Sequence, residues 1–373
     1  MRRAADDREQ QSIERRIATQ LPLLRSGSSS SGSSVASSFS EMPLRRSTVS
    51  ALRAIGFTEP SAVQRRALPA ALCAADAVVT VPTDSGKTLC FAAAAIERSW
   101  IDRWCDGAGV FALILCPTRE LAAQTYATLS RIAARCDAHV GIGMVCGGAD
   151  LAQERTVIAR LPIIVATPGR LRQHLEQTHG FDLDALRMLV IDEADRMLDM
   201  GFRDTLTAII DAMPRDRQTL LFSATPSASV RALAALSVRD PLFITVSATT
   251  PLADGSVATP ARLVQRYAVV EVQHKLDVLY SFIRAHLRAK TIVFLSSCKQ
   301  AKFVFEIFRQ MQPGVPLMLL HGKVRQLKRA AVFKSFADHD RAVLFCTDIA
   351  ARGLDFPHID WVLQLDCPED AAT

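Results

Sequence analysis

Met188-Leu189-Val190-Ile191-Asp192-Glu193-Ala194-Asp195 sets a short apolar run directly before a cluster of acids. A run of Val, Ile and Leu too short for a helix reads as a buried strand, so the acids stand at its carboxyl end, where open α/β sheets bind ligands. One carboxylate there can hold Mg²⁺ while its neighbour orients a water. Taken alone, the tetrapeptide fits an acidic helix N-terminus equally well, because the helix dipole favours acids at that position. Upstream, another apolar run at 78–81 leads into Pro82, Thr83, Asp84, Ser85, Gly86, Lys87 and Thr88, and then into the helix-compatible stretch 89–98. Such a strand, loop and helix points backbone N–H groups at phosphates, with Lys87 neutralising the outer phosphates and the Thr88 hydroxyl reaching Mg²⁺. Gly-Lys-Thr by itself is also an ordinary strand-to-helix turn; followed by acids after a later strand it reads as a phosphate site. Two positions depart from the general pattern, Val81 in place of Gly and Asp84 in place of a small residue. Asp84 puts negative charge beside a polyanion and predicts weakened ATP affinity. An Asp84→Gly variant that binds a fluorescent ATP analogue no more tightly would refute this.

Composition sets the class. With 373 residues, 49% of them apolar, the chain can bury more than one core. No stretch approaches the roughly eighteen uninterrupted apolar residues of a membrane span, and the charged start is unlike a signal peptide, which argues against membrane and secretory routes. Cysteines at 73, 90, 105, 116, 136, 146, 298, 346 and 367 form no CxxC pair. That pattern points to buried thiols in a reducing compartment and to no zinc site. The net charge of +6 is compatible with a polyanion partner without requiring one.

Residues 26–40 are mostly Ser and Gly, and residues 1–38 read as a charged, disordered tail. Short apolar strands then alternate with helical stretches, at 78–81, 111–116, 163–167, 188–191 and 220–223, which means a parallel sheet. Thr, Pro, Gly and Ser at 249–262 read as a linker. A second alternation follows, with strands at 291–295, 317–320, 342–346 and 361–365. The expected domains are therefore 39–248 and 263–373.

In order along the chain, the remaining segments resemble the DEAD-box RNA helicases. Gly56, Phe57, Pro60 and Gln64, with Phe39 upstream, resemble that family's adenine-reading motif. Pro117-Thr118-Arg119-Glu120-Leu121-Ala122, then Gly147-Gly148, then Thr167-Pro168-Gly169-Arg170 resemble its RNA-backbone motifs. Ser223-Ala224-Thr225 resembles the motif that couples hydrolysis to strand separation. In the second half, Phe294, Ser296, Ser297, His321, Gly322, Gln326 and Arg329 match the fourth motif and the helix after it, and Thr347-Asp348 with Ala351-Arg352-Gly353-Leu354-Asp355 match the fifth.

The resemblance implies two RecA-like α/β domains, each a parallel sheet flanked by helices, the second one incomplete. ATP with Mg²⁺ would lie between them and RNA would bridge both, so that nucleotide binding closes the cleft. It assigns catalysis to Lys87, Asp192, Glu193, Ser223 and Thr225, with the hydroxyls of 223 and 225 bonded to the acids at 192 and 195. It gives nucleotide contacts to Phe57, Gln64, Thr83, Ser85, Gly86, Lys87, Thr88, Asp192, Gly353 and Asp355, and Mg²⁺, largely through water, to Thr88 and Asp192. RNA phosphates fall to Pro117, Thr118, Arg119, Gly148, Thr167, Gly169, Arg170, Arg329 and Thr347, without base readout. Stretches 279–287, 291–298 and 349–366, with Cys367-Pro368-Glu369-Asp370, are most similar to nucleolar members that serve small-subunit ribosome assembly. That subgroup implies pre-rRNA as partner, a nuclear and nucleolar address, and a monomer. The family's last motif, HRxGRxxR, would fall beyond Thr373, and its transition-state arginines are worth about 10³ to 10⁵ in rate. The alternative is a catalytically impaired RNA-binding protein or assembly factor, motivated by Asp84 and by those arginines.

Overall fold

A computed structural model describes residues 2–25, 36–246 and 263–367, apart from 83–84, 106, 137–139, 149, 323, 325, 348–355 and 357. The expected linker 249–262 lies outside the described residues. The chain divides into two compact units, Met1–Pro260 and Ala261–Thr373.

In the first unit the strands are β1 (Ala77–Thr80), β2 (Ala112–Leu115), β3 (Ile142–Val145), β4 (Ile163–Ala166), β5 (Met188–Ile191), β6 (Gln218–Ser223) and β7 (Leu242–Thr245). They form one all-parallel sheet in the order β3-β4-β2-β5-β6-β1-β7. Its helices are α1 (Arg2–Arg25), α2 (Arg46–Ala54), α3 (Ala62–Leu72), α4 (Lys87–Ile101), α5 (Arg119–Ala133), α6 (Leu151–Val157), α7 (Pro168–Gln177), α8 (Ala194–Asp199), α9 (Arg203–Asp211) and α10 (Ala228–Ser237).

Successive strand residues point to opposite faces, and both faces are covered, which is why the strands read as unbroken apolar runs. Val79, Ile114, Val165, Val190 and Phe222 pack with Phe91 and Leu129 on one side. Val78, Leu113, Ile164, Leu189 and Leu221 pack with Leu171, Leu206 and Leu233 on the other. The short strands β3 and β7 escape the sequence reading because they are the sheet's edges, where only part of each strand is buried.

The expectation of a disordered tail fails for Arg2–Arg25. Ile13, Ile17, Leu21 and Leu24 recur at helical spacing, and Ile13 is buried. Gln10 donates to the Ile101 carbonyl at 2.9 Å, Arg16 to the Ser40 and Met42 carbonyls, and Glu9 accepts from the Arg46 N–H at 2.9 Å. The high charge of the segment hid this periodicity.

In the second unit β8 (Lys290–Phe294), β9 (Leu317–Leu320), β10 (Ala342–Cys346) and β11 (Trp361–Gln364) form a parallel sheet in the order β11-β8-β10-β9. Helices α11 (Lys275–Ala285), α12 (Cys298–Met311) and α13 (Gln326–Asp338) belong to it. Ahead of α11, Val264, Tyr267 and Val269 are exposed.

Burial separates the thiols. It pushes Cys73 and Cys146 up to about 11 and holds Cys90 and Cys116 well above the ordinary thiol range, whereas Cys105 and Cys367 are exposed. Iodoacetamide at neutral pH is therefore expected to label Cys105 and Cys367 and to spare those four until the protein unfolds. Mass spectrometry that finds Cys90 or Cys116 labelled in the folded protein would contradict the burial.

Candidate nucleotide and RNA site

The strand order places the motifs that follow strands of the first unit on one edge. β5, β6 and β1 are neighbours, so Asp192, Ser223 and the loop after β1 emerge side by side at the carboxyl end of the sheet. β3, β4 and β2 are neighbours too, and they present Gly147-Gly148, Thr167 and Pro117 along the continuation of that edge. The segments expected to meet nucleotide and those expected to meet RNA are thus divided by the boundary between β2 and β5.

Lys87 is the first residue of α4, and its Nζ crosses β6 to lie 3.0 Å from Asp192 Oδ1 and 3.6 Å from Glu193 Oε1. All three side chains are buried. Burial pulls the Lys87 pKa down, but Asp192 and Glu193 outweigh it and hold it above its ordinary value. Burial raises Glu193, against the opposing pull of Lys87. The pairing with Asp192 lacks hydrogen-bond alignment, and both Asp192 oxygens, Glu193 Oε2 and Ser85 Oγ have no hydrogen-bond partner. Buried polar atoms normally find partners, so this set marks the place of a polar ligand. A hard cation takes oxygen donors, and Asp192 with the neighbouring Thr88 supplies them, so the residues present fit Mg²⁺ carried with a nucleotide. Glu193 itself adopts a left-handed backbone, φ 54°, ahead of α8. For a residue other than glycine that conformation is strained, and such strain concentrates at functional sites.

The loop is braced from below. Gly86 has φ 85° and opens α4, whose first N–H groups face outward without helical partners. Gln64 Nε2 donates to the Gly86 carbonyl at 3.0 Å, Ser61 Oγ donates to the Ser85 carbonyl at 2.9 Å, and the Ser61 N–H donates to Gln64 Oε1 at 2.9 Å. Gln64, expected to contact the nucleotide, is buried here, caps α3 and holds the loop, because its amide satisfies two backbone groups at once. Phe39 is buried in the core, while Phe57 is half-buried against it. A Cβ on Gly86 would meet Gln64 Nε2 at 2.6 Å. Gly86→Ala is expected to lose about 1–3 kcal/mol of stability from backbone strain and to bind a fluorescent ATP analogue more weakly. Unchanged affinity in that variant would contradict the bracing role.

Asp195 Oδ2 accepts from Ala224 N, Thr225 N and Thr225 Oγ1, each at 3.1 Å. Thr225 therefore behaves as expected toward the acids. Ser223 does not: its Oγ donates to the Thr225 carbonyl at 2.8 Å and closes a local turn.

Among the residues expected to meet RNA, Pro117 is buried and Thr118 caps α5 by accepting from Leu121 N at 3.3 Å. The Arg119 guanidinium lies along the Gly147-Gly148 backbone, where a Cβ on Gly147 would approach Nη2 to 2.9 Å. Only glycines admit it there. Thr167 is buried at the start of α7, and space is open around Gly169. Arg170 is held within the protein in this structure. It is half-buried, its Nε 2.7 Å from Glu154 Oε2 and its Nη1 donating to Gln173 at 2.9 Å. His174 Nε2 meets that same Glu154 oxygen at 2.9 Å and its Nδ1 meets Thr178 Oγ1 at 2.8 Å. Arg170 thus ties α6 to α7, Glu154 supplying the carboxylate that a largely enclosed guanidinium needs. Nothing in the sequence signals Glu154, a single acid on a short helix.

In the second unit Thr347 follows β10, buried, with Oγ1 lacking a hydrogen bond, and Arg329 lies half-buried on α13. Thr83, Asp84, Gly353 and Asp355 lie outside the described residues.

Residues 61–233 match the DEAD/DEAH box helicase family, and 274–373 match the helicase conserved C-terminal domain. The chain belongs to the DEAD-box RNA helicases. The ATP-dependent RNA helicase DBP4 of Yarrowia lipolytica is 48% identical over 337 residues, covering 90% of this chain and 45% of its own length. The probable ATP-dependent RNA helicase DDX10 of Gallus gallus is 46% identical over 335 residues, covering 90% of this chain and 38% of its own. The chain thus spans less than half the length of these curated relatives. Among solved structures, DEAD-box helicase Mss116 bound to ssRNA and UDP-BeF superposes with TM-score 0.79 at 27% identity, over 88% of this chain and 69% of that one. S. cerevisiae Dbp5 bound to RNA and ADP BeF3 gives 0.77 at 25%, over 90% and 82%. These matches bear out the two-domain RecA-like α/β fold read from the sequence.

Proposed function

We propose that the chain is the core of an ATP-dependent RNA helicase that remodels pre-ribosomal RNA in the nucleolus, as a monomer, with Mg²⁺-ATP as cofactor and RNA held by its backbone. The observation that carries this reading is Lys87 reaching Asp192 across β6, on the sheet edge that also bears Arg119 against Gly147-Gly148. Lys87 exchanges its carboxylate partners for nucleotide phosphates, which frees Glu193 to orient a water and take its proton. Thr88 and Asp192 would hold Mg²⁺, which supplies charge neutralisation at the phosphates. Asp195 transmits the state of the acids to Ser223-Ala224-Thr225 through its bonds to the backbone there. The RNA strand is met by Thr118, Arg119, Gly148, Thr167 and Gly169 in the first unit, and by Arg329 and Thr347 in the second.

ATP hydrolysis measured with two single-stranded RNAs of unrelated sequence tests this. Similar stimulation by both, lost in Lys87→Ala, is expected; stimulation by one sequence alone contradicts backbone recognition. Asp84 favours a second reading, an RNA-binding assembly factor without turnover. That reading wins if RNA binds while hydrolysis never exceeds that of Lys87→Ala. Imaging a tagged chain checks the nucleolar address.

A further inference from the structure

Helix α1 is rich in charge, and among its described residues Ile13 alone is fully buried. A helix so polar is held in place chiefly by its specific contacts. Those contacts fall on two places. Arg16 donates to the carbonyls of Ser40 and Met42, and Glu9 accepts from Arg46 N at 2.9 Å, so α1 grips segment 40–46 at both ends. Gln10 donates to the carbonyl of Ile101, the last residue of α4, and its Oε1 accepts from Arg103 Nε at 3.1 Å, with Asp7 paired to the same guanidinium. Arg45 and Glu97 tie segment 40–46 to α4 as well.

Both places lead to the Lys87 loop. α4 begins with Lys87, so gripping Ile101 holds the far end of the helix whose first residue enters the site. Segment 40–46 runs into α2, and Met42, Leu44 and Leu52 share one apolar core with Val63 and Leu68 of α3. The amino end of α3 carries the Ser61 and Gln64 bonds to the Ser85 and Gly86 carbonyls. Packed side chains, hydrogen bonds and rigid helices transmit coupling when an element has two arrangements, here docked and released. Arg16 suits that contact, because its planar fork of donors reaches two carbonyls of one turn at once. We propose that α1 is a clamp on the nucleotide site with Arg16 as its positioning residue: docked, it fixes segment 40–46 and the brace beneath the Lys87 loop; released, it lowers the affinity for Mg²⁺-ATP. The inference rests on the reading of that loop as the nucleotide site. Where only the docked state binds well, apparent affinity falls with the docked fraction. By reciprocity, nucleotide favours docked α1 by the same factor.

Anisotropy of a fluorescent ATP analogue on the full chain, with amide hydrogen exchange across residues 8–20, tests the clamp. Arg16→Met is expected to weaken the analogue at least about threefold while RNA affinity without nucleotide is unchanged. Arg16→Lys recovers part of the loss, since an ammonium still donates to both carbonyls. Exchange in α1 slows when the wild type binds the analogue, and does not slow in Lys87→Ala; a helix that only adds stability would leave it indifferent to nucleotide. Glu9→Ala, which cuts the bond to Arg46 N, serves if Arg16→Met unfolds the protein, as read by circular dichroism, and is expected to weaken the analogue in the same direction. The clamp alone is overturned if Lys87→Ala loses the analogue while the folded Arg16 or Glu9 variant binds it as tightly as the wild type, or if α1 exchange ignores it. RNA affinity that falls in parallel also overturns the clamp. A wild type that binds no analogue overturns the nucleotide site and the clamp with it.

Discussion

Glu193→Gln is expected to lower RNA-stimulated ATP hydrolysis by about 10²- to 10⁴-fold while nucleotide binding persists. Glutamine keeps the shape and can still fill the strained φ 54° position, so the fold is not the casualty. What is lost is the proposed base. Glu193 is buried, shares one oxygen with Lys87 at 3.6 Å and leaves the other unbonded, as a residue that receives a water must. The sign of the pH dependence follows from its environment. Burial raises its pKa above the ordinary glutamate value, so the carboxylate is lost on acidification sooner than a free glutamate would be. The acidic limb of the hydrolysis profile therefore lies above the free-glutamate range in the wild type and is missing from the residual activity of Glu193→Gln. A loss smaller than about tenfold would remove Glu193 from the chemistry.

Glu97→Ala is expected to cost about 3–5 kcal/mol of stability, the usual consequence of stranding a buried charge. Glu97 is fully buried on α4 and accepts from Arg45 N at 2.8 Å, Arg45 Nε at 2.9 Å and Thr48 Oγ1. Arg45 is only 4% exposed, and its guanidinium lies 4.7 Å from the Trp100 ring centroid. Removing the carboxylate leaves that guanidinium paired only with an aromatic face. Because α2 leads directly to Gly56, Phe57 and Gln64, nucleotide affinity should fall with stability. Urea titration of the first unit's transition measures the effect, and Glu97→Leu combined with Arg45→Met should recover much of it. A single-variant loss below about 1 kcal/mol would mean that water reaches Arg45.

The fold was legible wherever burial was symmetrical. β5 and β10 stand at the ranges read from sequence because strands covered on both faces are uniformly apolar. β3 and β7, with one edge open, carry no such run. Helix α1 was illegible for a different reason: its apolar stripe is set among so many charges that composition and periodicity point in opposite directions. In the site, Lys87, Asp192 and Glu193 were readable because phosphate and metal chemistry demand those residue types after strands. Ser61 with Gln64 spells a capping box, so the structural duty of Gln64 was present in the sequence, overshadowed by the chemistry of its amide. The Arg170-Glu154-His174 tie was not readable, since its members come from separate helices and only the order of β3 and β4 brings them together.

The central claim is that nucleotide and RNA share one sheet edge and are coupled through Asp195 and Ser223-Ala224-Thr225. RNA affinity measured by anisotropy, with and without a non-hydrolysable Mg²⁺-ATP analogue, tests it most directly. The structure predicts RNA binding at least about fivefold tighter with the analogue, a coupling of about 1 kcal/mol, lost when Asp195→Ala cuts the bonds to Ala224 and Thr225. RNA affinity indifferent to the analogue in the wild-type chain would contradict it.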